Sequence, residues 1–274
     1  MSYTFRPDQR YRMPTHFGPS LGPRQGLDGR RYACVDGSDT SVQAAFKVQP
    51  EQVSSYLPPG FSCREPNLII NFTYGTNIEW LAGRGYNTFG VSIPATYQGQ
   101  RDTVEGEFLL VLWENMADPI ITGREDLGFS KVYCELPEPQ FISDDVICRA
   151  SWDGCQFASI KLSNFKEVLP EALPEPPPSE GLLHYKYFPK TSAPGEADVA
   201  YATLTPAETP HAKIDHAMIA QSANAHFRQS TWEELPTLVH IVNALSELTL
   251  GDCVAATLVK SHGGKDLSDQ RILS

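Results

Sequence analysis

The 274-residue chain has no excess of positive charge: 22 Lys and Arg stand against 33 Asp and Glu, a formal net charge of −11. That balance leaves no electrostatic footprint for nucleic acid or for an anionic membrane surface, and neither is expected as a partner. No apolar run approaches the ~18 residues that suggest a membrane span. Pro7, Pro14, Pro19 and Pro23 break up any amphipathic transit helix near the start, and the apolar stretch of a signal peptide is missing there. The six cysteines (Cys34, Cys63, Cys134, Cys148, Cys155 and Cys253) contain no C-x-x-C pair. Neither a disulfide framework nor a zinc site is expected, and the reading is a reduced, cytoplasmic protein. G-x-S-x-G, P-loop and G-x-G-x-x-G motifs are absent. His211 and His216 are five residues apart, a gap that suits neither one helix face nor a tight metal clamp, so no metal is expected.

The signals that are present are mainly β. Runs rich in branched and aromatic residues cover 68–74, 107–113, 199–204 and 254–259, most of them bounded by turn residues. Many short strands and few long helical patterns suggest a barrel or a sandwich. Residues 1–29, rich in Pro, Gly and Arg, read as an extended arm, and 30–274 as a single domain. The acidic, proline-rich stretch 169–181 reads as a linker or a long surface loop. Pro50 to Tyr56 is expected to form a short helix. A longer amphipathic helix is expected where Leu235, Leu238, Val239, Val242 and Leu245 share a face, with a capping box over Thr231 to Glu234.

Of the nine lysines, Lys131 stands out. In an extended segment Phe129, Lys131 and Tyr133 point to one face, which sets the amine between two rings. Only a neutral amine attacks a ketone. Burial in an apolar pocket disfavours the ammonium and lowers a lysine pKa by ~3–5 units. The imine so formed is an electron sink that lets a neighbouring bond break heterolytically. The competing reading is a lysine whose stem packs on aromatics while its head reaches water.

Gly123-Arg124-Glu125 followed by Phe129-Ser130-Lys131 resembles the G-R-E element and aromatic-Pro-Lys step of the acetoacetate decarboxylase family. Phe17-Gly-Pro, Gly22-Pro-Arg, Gly29-Arg30-Arg31-Tyr32, Leu57-Pro-Pro-Gly60, Ser92-Ile93-Pro94 and the region 235–259 agree in order. The resemblance implies an antiparallel, closed or nearly closed β-barrel with a few peripheral helices. It also implies a cofactor-independent lyase and a homo-oligomer. By position, Lys131 matches the Schiff-base lysine, whose activation by desolvation or a nearby cation is that family's established chemistry. Arg30 matches an arginine lining the family's site; it either meets a substrate carboxylate or is a surface charge on the arm. Arg124 and Glu125 read as an ion pair positioning the lysine strand.

The departures point away from acetoacetate itself. Val132 stands where true acetoacetate decarboxylases carry a second lysine, and two site glutamates fall on Thr73 and Thr88. The pattern is closer to the branch resembling aldolase-dehydratases and cyclases. The expected function is a Schiff-base lyase acting on a keto acid in a biosynthetic (secondary metabolic) pathway. Lys131 would be the nucleophile, with Arg30, Thr73, Tyr86, Thr88 and Phe129 around the substrate. Two alternatives are kept: aldol condensation–dehydration or cyclisation through the same imine, and a barrel that binds a small ligand without catalysis.

Overall fold

The computed structural model describes residues 4–175, 177–207 and 212–274; His211 lies outside the described residues. Fourteen strands form one mixed sheet. In chain order they are β1 Ser38–Lys47, β2 Phe61–Cys63, β3 Asn67–Thr76, β4 Asn87–Gln98, β5 Thr103–Glu114, β6 Lys131–Tyr133 and β7 Gln140–Ile142. There follow β8 Asp145–Trp152, β9 Cys155–Val168, β10 Gly181–Pro189, β11 Ala197–Pro206, β12 Lys213–Phe227, β13 Cys253–His262 and β14 Arg271–Ile272. The helices are short: α1 Pro50–Ser54, α2 Ala117–Thr122 and α3 Val239–Ser246. None is long and apolar enough to cross a membrane.

The strand order is β14-β11-β10-β5-β4-β3-β1-β13-β12-β9-β8-β7, with β2 added on β4 and β6 on β5. The sheet is therefore mainly β, as expected, but the expected closed antiparallel barrel is not formed. No hydrogen bonds join β14 to β7, and both β10 and β6 run parallel to β5. Branched and aromatic runs specify that a segment is extended, whereas closure depends on which edges meet; those runs do not encode it.

One face of the sheet curls onto itself. Phe72, Phe89 and Trp113 stack in series, with ring centroids 4.3 and 4.8 Å apart, and Trp113 meets Phe157 of β9 at 5.4 Å. Val242 and Leu245 of α3 join this core, as do Leu235 and Leu238. The helix begins at Val239, later than the apolar pattern suggests. Pro236 carries no N–H, and irregular turns occupy 232–238, where Glu234 Oε2 accepts the Thr231 N–H at 3.0 Å.

The opposite face of β1, β3, β4 and β5 lines a cavity. A bulge makes this possible. Val111 pairs with Val91 and Leu109 with Ser92, which leaves Leu110 as an extra residue in β5. Val104 and Phe108 before the bulge, and Val111 and Trp113 after it, face the core. Glu107, Leu109, Leu112 and Glu114 consequently all face the cavity, although 107 and 114 differ in parity.

Candidate active site

The cavity, about 340 Å³, has its polar wall on the strands and its apolar wall on the segment that follows β5. Across β3, β4 and β5, Thr73 pairs with Thr88 and Thr88 with Glu114, so one cross-strand row carries two hydroxyls and a carboxylate. Facing this row, α2 runs into a wide π-type turn, Gly123–Leu127, which delivers the chain to β6 and Lys131. Leu109, Leu127 and Phe129 pack together beside Leu112 and Leu182 to make a dry wall.

Lys131 is 7% exposed. Its Nζ lies 2.8 Å from Glu114 Oε1, donates to the Pro119 carbonyl at 3.1 Å, and sits 5.0 Å from the Phe129 ring centroid. Glu114 is 1% exposed, and its second oxygen is buried without a partner among the described residues. Burial raises the Glu114 carboxyl above the ordinary glutamate value, against the pull of the Lys131 charge. An ion pair and a neutral amine–carboxylic acid pair here differ by one proton moved across 2.8 Å.

Gly123 explains the first letter of the G-R-E element. A Cβ there would stand 2.5 Å from both Lys131 Cδ and Cε, so the lysine stem occupies the space a side chain would need. Arg124 donates to the Lys131 carbonyl at 2.8 Å and pins β6. It makes no ion pair with Glu125 among the described residues; the Glu125 carbonyl instead accepts Lys186 Nζ at 2.7 Å. The N-terminal arm reaches the same turn through Arg12, paired with Asp126 at 2.7 Å, and Pro23 lines the cavity.

Thr73, Tyr86, Thr88, Phe129 and Lys131 thus all line one cavity. Arg30 is exposed and is not among the lining residues. Tyr133 is 48% exposed, so Lys131 rests on one ring rather than between two. A tight turn, with the Lys131 N–H bonded to the Phe129 carbonyl at 2.9 Å, interrupts the alternation on which that expectation relied. Tyr86 keeps its proton: burial and the carboxylates of Glu114 and Asp39 push its hydroxyl well up. The Cys34 thiol, also in the wall, is pushed up to about 11 by burial and Asp266, so it is no thiolate nucleophile near neutral pH.

Five cavity carboxylates, Asp39, Glu79, Glu107, Glu114 and Asp266, were missed by sequence reasoning; Glu107 and Glu114 come from β5. Thr73 and Thr88 do hold no carboxylate, but the strand beside Thr88 supplies one. The available signal was an acidic residue at each end of the apolar run of β5.

A family model described as acetoacetate decarboxylase (ADC) matches residues 12–259. The chain belongs to this family. Solved structures show the same fold at low identity. The enduracididine biosynthesis enzyme MppR, complexed with pyruvate, is 14% identical, with a TM-score of 0.64 over 87% of this chain and 89% of that one. An acetoacetate decarboxylase is 12% identical, with a TM-score of 0.64 over 87% and 89%. The acetoacetate decarboxylase of Legionella pneumophila is 17% identical, with a TM-score of 0.61 over 92% and 94%. No curated protein matches the chain. The family and fold support an enzyme of the Schiff-base lyase type or a related one.

Proposed function

We propose that this acetoacetate decarboxylase family member is a Schiff-base-forming lyase acting on a keto acid, with Lys131 as nucleophile and Glu114 as its proton acceptor. The observation that carries the reading is the placement of Lys131 Nζ in a dry cavity, 2.8 Å from a buried carboxylate. In true acetoacetate decarboxylases a second lysine follows the first; here Val132 does, and Glu114 stands beside the amine as a proton acceptor.

The steps balance as follows. Glu114 takes a proton from the Lys131 ammonium, and the neutral amine adds to the keto carbon. The carbinolamine takes that proton back from Glu114 and loses water to give a protonated imine. That cation draws the electron pair of the bond to the carboxylate carbon, carbon dioxide departs, and an enamine remains. A proton that Glu114 takes up from solvent returns to carbon. Water then hydrolyses the imine and frees the ketone and Lys131. Thr73 and Thr88 offer hydroxyls to the substrate oxygens, and Phe129 packs against the imine.

A second reading uses the same imine for aldol condensation and dehydration. What keeps it is the length of the cavity, about 340 Å³ and lined from the Glu114 row to Glu107, well beyond Lys131. Borohydride reduction in the presence of a panel of keto acids, followed by peptide mapping, tests the shared step. An adduct on Lys131, absent in Lys131→Ala, is the expected result; no adduct with any keto acid would sink it. Carbon dioxide release then identifies decarboxylation, and loss of water with carbon–carbon bond formation identifies the aldol route.

A further inference from the structure

The cavity extends well beyond Lys131. Along the strands its rows run from Thr73, Thr88 and Glu114, through Asn71, Gly90 and Leu112, to Ile69, Ser92 and Leu109, and then to Glu107. Two residues of strand separate each row from the next, so the Ser92 row lies about 13 Å from the Glu114 row. Glu107 leans into that far end, where Ser92 Oγ donates to its Oε2 at 2.9 Å. Its other oxygen makes no hydrogen bond among the described residues, and no cation pairs with it within 4 Å. Arg64, the nearest influence of that sign, is engaged by Glu105 at 2.8 Å and by the Pro178 carbonyl at 2.7 Å.

The two cationic side chains in the wall are already occupied. Lys131 holds Glu114, and Lys265 holds Asp269 and the Pro206 carbonyl. Glu107 therefore faces the cavity as an acid with neither a counter-ion nor a full set of hydrogen bonds. A second carboxylate at the far end of a substrate would be repelled there; an ammonium would be held by a charge-assisted hydrogen bond.

We infer that Glu107, held by Ser92, forms a specificity subsite for a primary amine at the end of the substrate remote from the reacting carbonyl. The substrate class is then an amino-substituted keto acid of extended chain. This inference rests on the Schiff-base reading of Lys131 and deepens it.

The test uses the full chain and a homologous series of methyl ketones whose lengths bracket the distance above, each ending in an amine, a methyl or a carboxylate. Labelling of Lys131 is followed as the rate of borohydride-trapped adduct. For one chain length the amino ketone is expected to label about tenfold faster than the carboxylate-ended one. Glu107→Gln, with unchanged far-UV circular dichroism, loses that preference, and Glu107→Asp keeps it. Equal labelling by all three ends, or preference for the carboxylate, overturns the subsite and leaves the imine chemistry standing. If no ketone labels Lys131, the Schiff-base reading fails, and the subsite is judged separately by calorimetry with n-alkylamines. Binding to the wild type that Glu107→Gln removes supports it; no binding overturns it.

Discussion

At the scale of single residues, the site is a lysine, its carboxylate and the glycine that makes room for them. Lys131 and Glu114 are both nearly inaccessible, so removing either charge leaves the other unpaired, at a cost of ~3–5 kcal/mol unless that group changes protonation. Glu114→Gln keeps the shape and loses the proton acceptor. Its borohydride trapping is expected to slow by ~10²–10⁴-fold, the usual worth of a positioned base, with the adduct still on Lys131. A rate within a factor of two of wild type would remove Glu114 from the chemistry. Gly123→Ala attacks the same site sterically. Its new methyl falls 2.5 Å from Lys131 Cδ, so the stem must swing away from Glu114. A misplaced nucleophile costs about 10²-fold, which should show as slow trapping in a protein whose far-UV circular dichroism is unchanged.

The elements show what could be read from residues alone and what could not. The runs 68–74, 107–113, 199–204 and 254–259 all lie within strands, because branched and aromatic side chains suit a half-buried pleat whatever their partners. Lys131 was legible through its neighbours, since Gly123 and Arg124 act on it directly, one by vacating space and one by holding its carbonyl. Glu114 was not, because its contact with Lys131 spans seventeen positions and a parallel strand pair. Glu107 was hidden by the Leu110 bulge, which puts an odd and an even residue of β5 on one face and defeats any alternation argument. Arg124 gives the prediction at this scale. Arg124→Met deletes the charge-assisted bond that ties β6 to the π-type turn, worth ~1.5–3 kcal/mol. Amide exchange of Val132 and Tyr133 should speed up, and trapping should slow about tenfold; unchanged exchange would show that β6 is held by its pairing with β5 alone.

Over the whole molecule, buried ionisable groups tie stability to pH in two opposite senses. His184 is fully buried against Phe129, with ring centroids 4.1 Å apart, and burial together with the Lys131 charge lowers its pKa to about 3. Between that value and 6.5 the unfolded chain binds a proton that the folded one refuses, so stability falls as pH drops through this window, by about 5 kcal/mol in all. Glu107 acts the other way. Its folded pKa is raised by burial, so the folded chain holds the extra proton; that contribution is complete below the ordinary value of 4.5 and is lost as pH rises through the folded value. Urea midpoints across pH 4 to 8 separate the two. Relative to wild type, His184→Phe should gain stability progressively below pH 6.5, whereas Glu107→Gln should gain it as pH rises above 4.5. A His184→Phe curve parallel to wild type would mean that the imidazole, bonded to Thr205 at 2.8 Å, titrates alike in the folded and unfolded chain, and would overturn this reading.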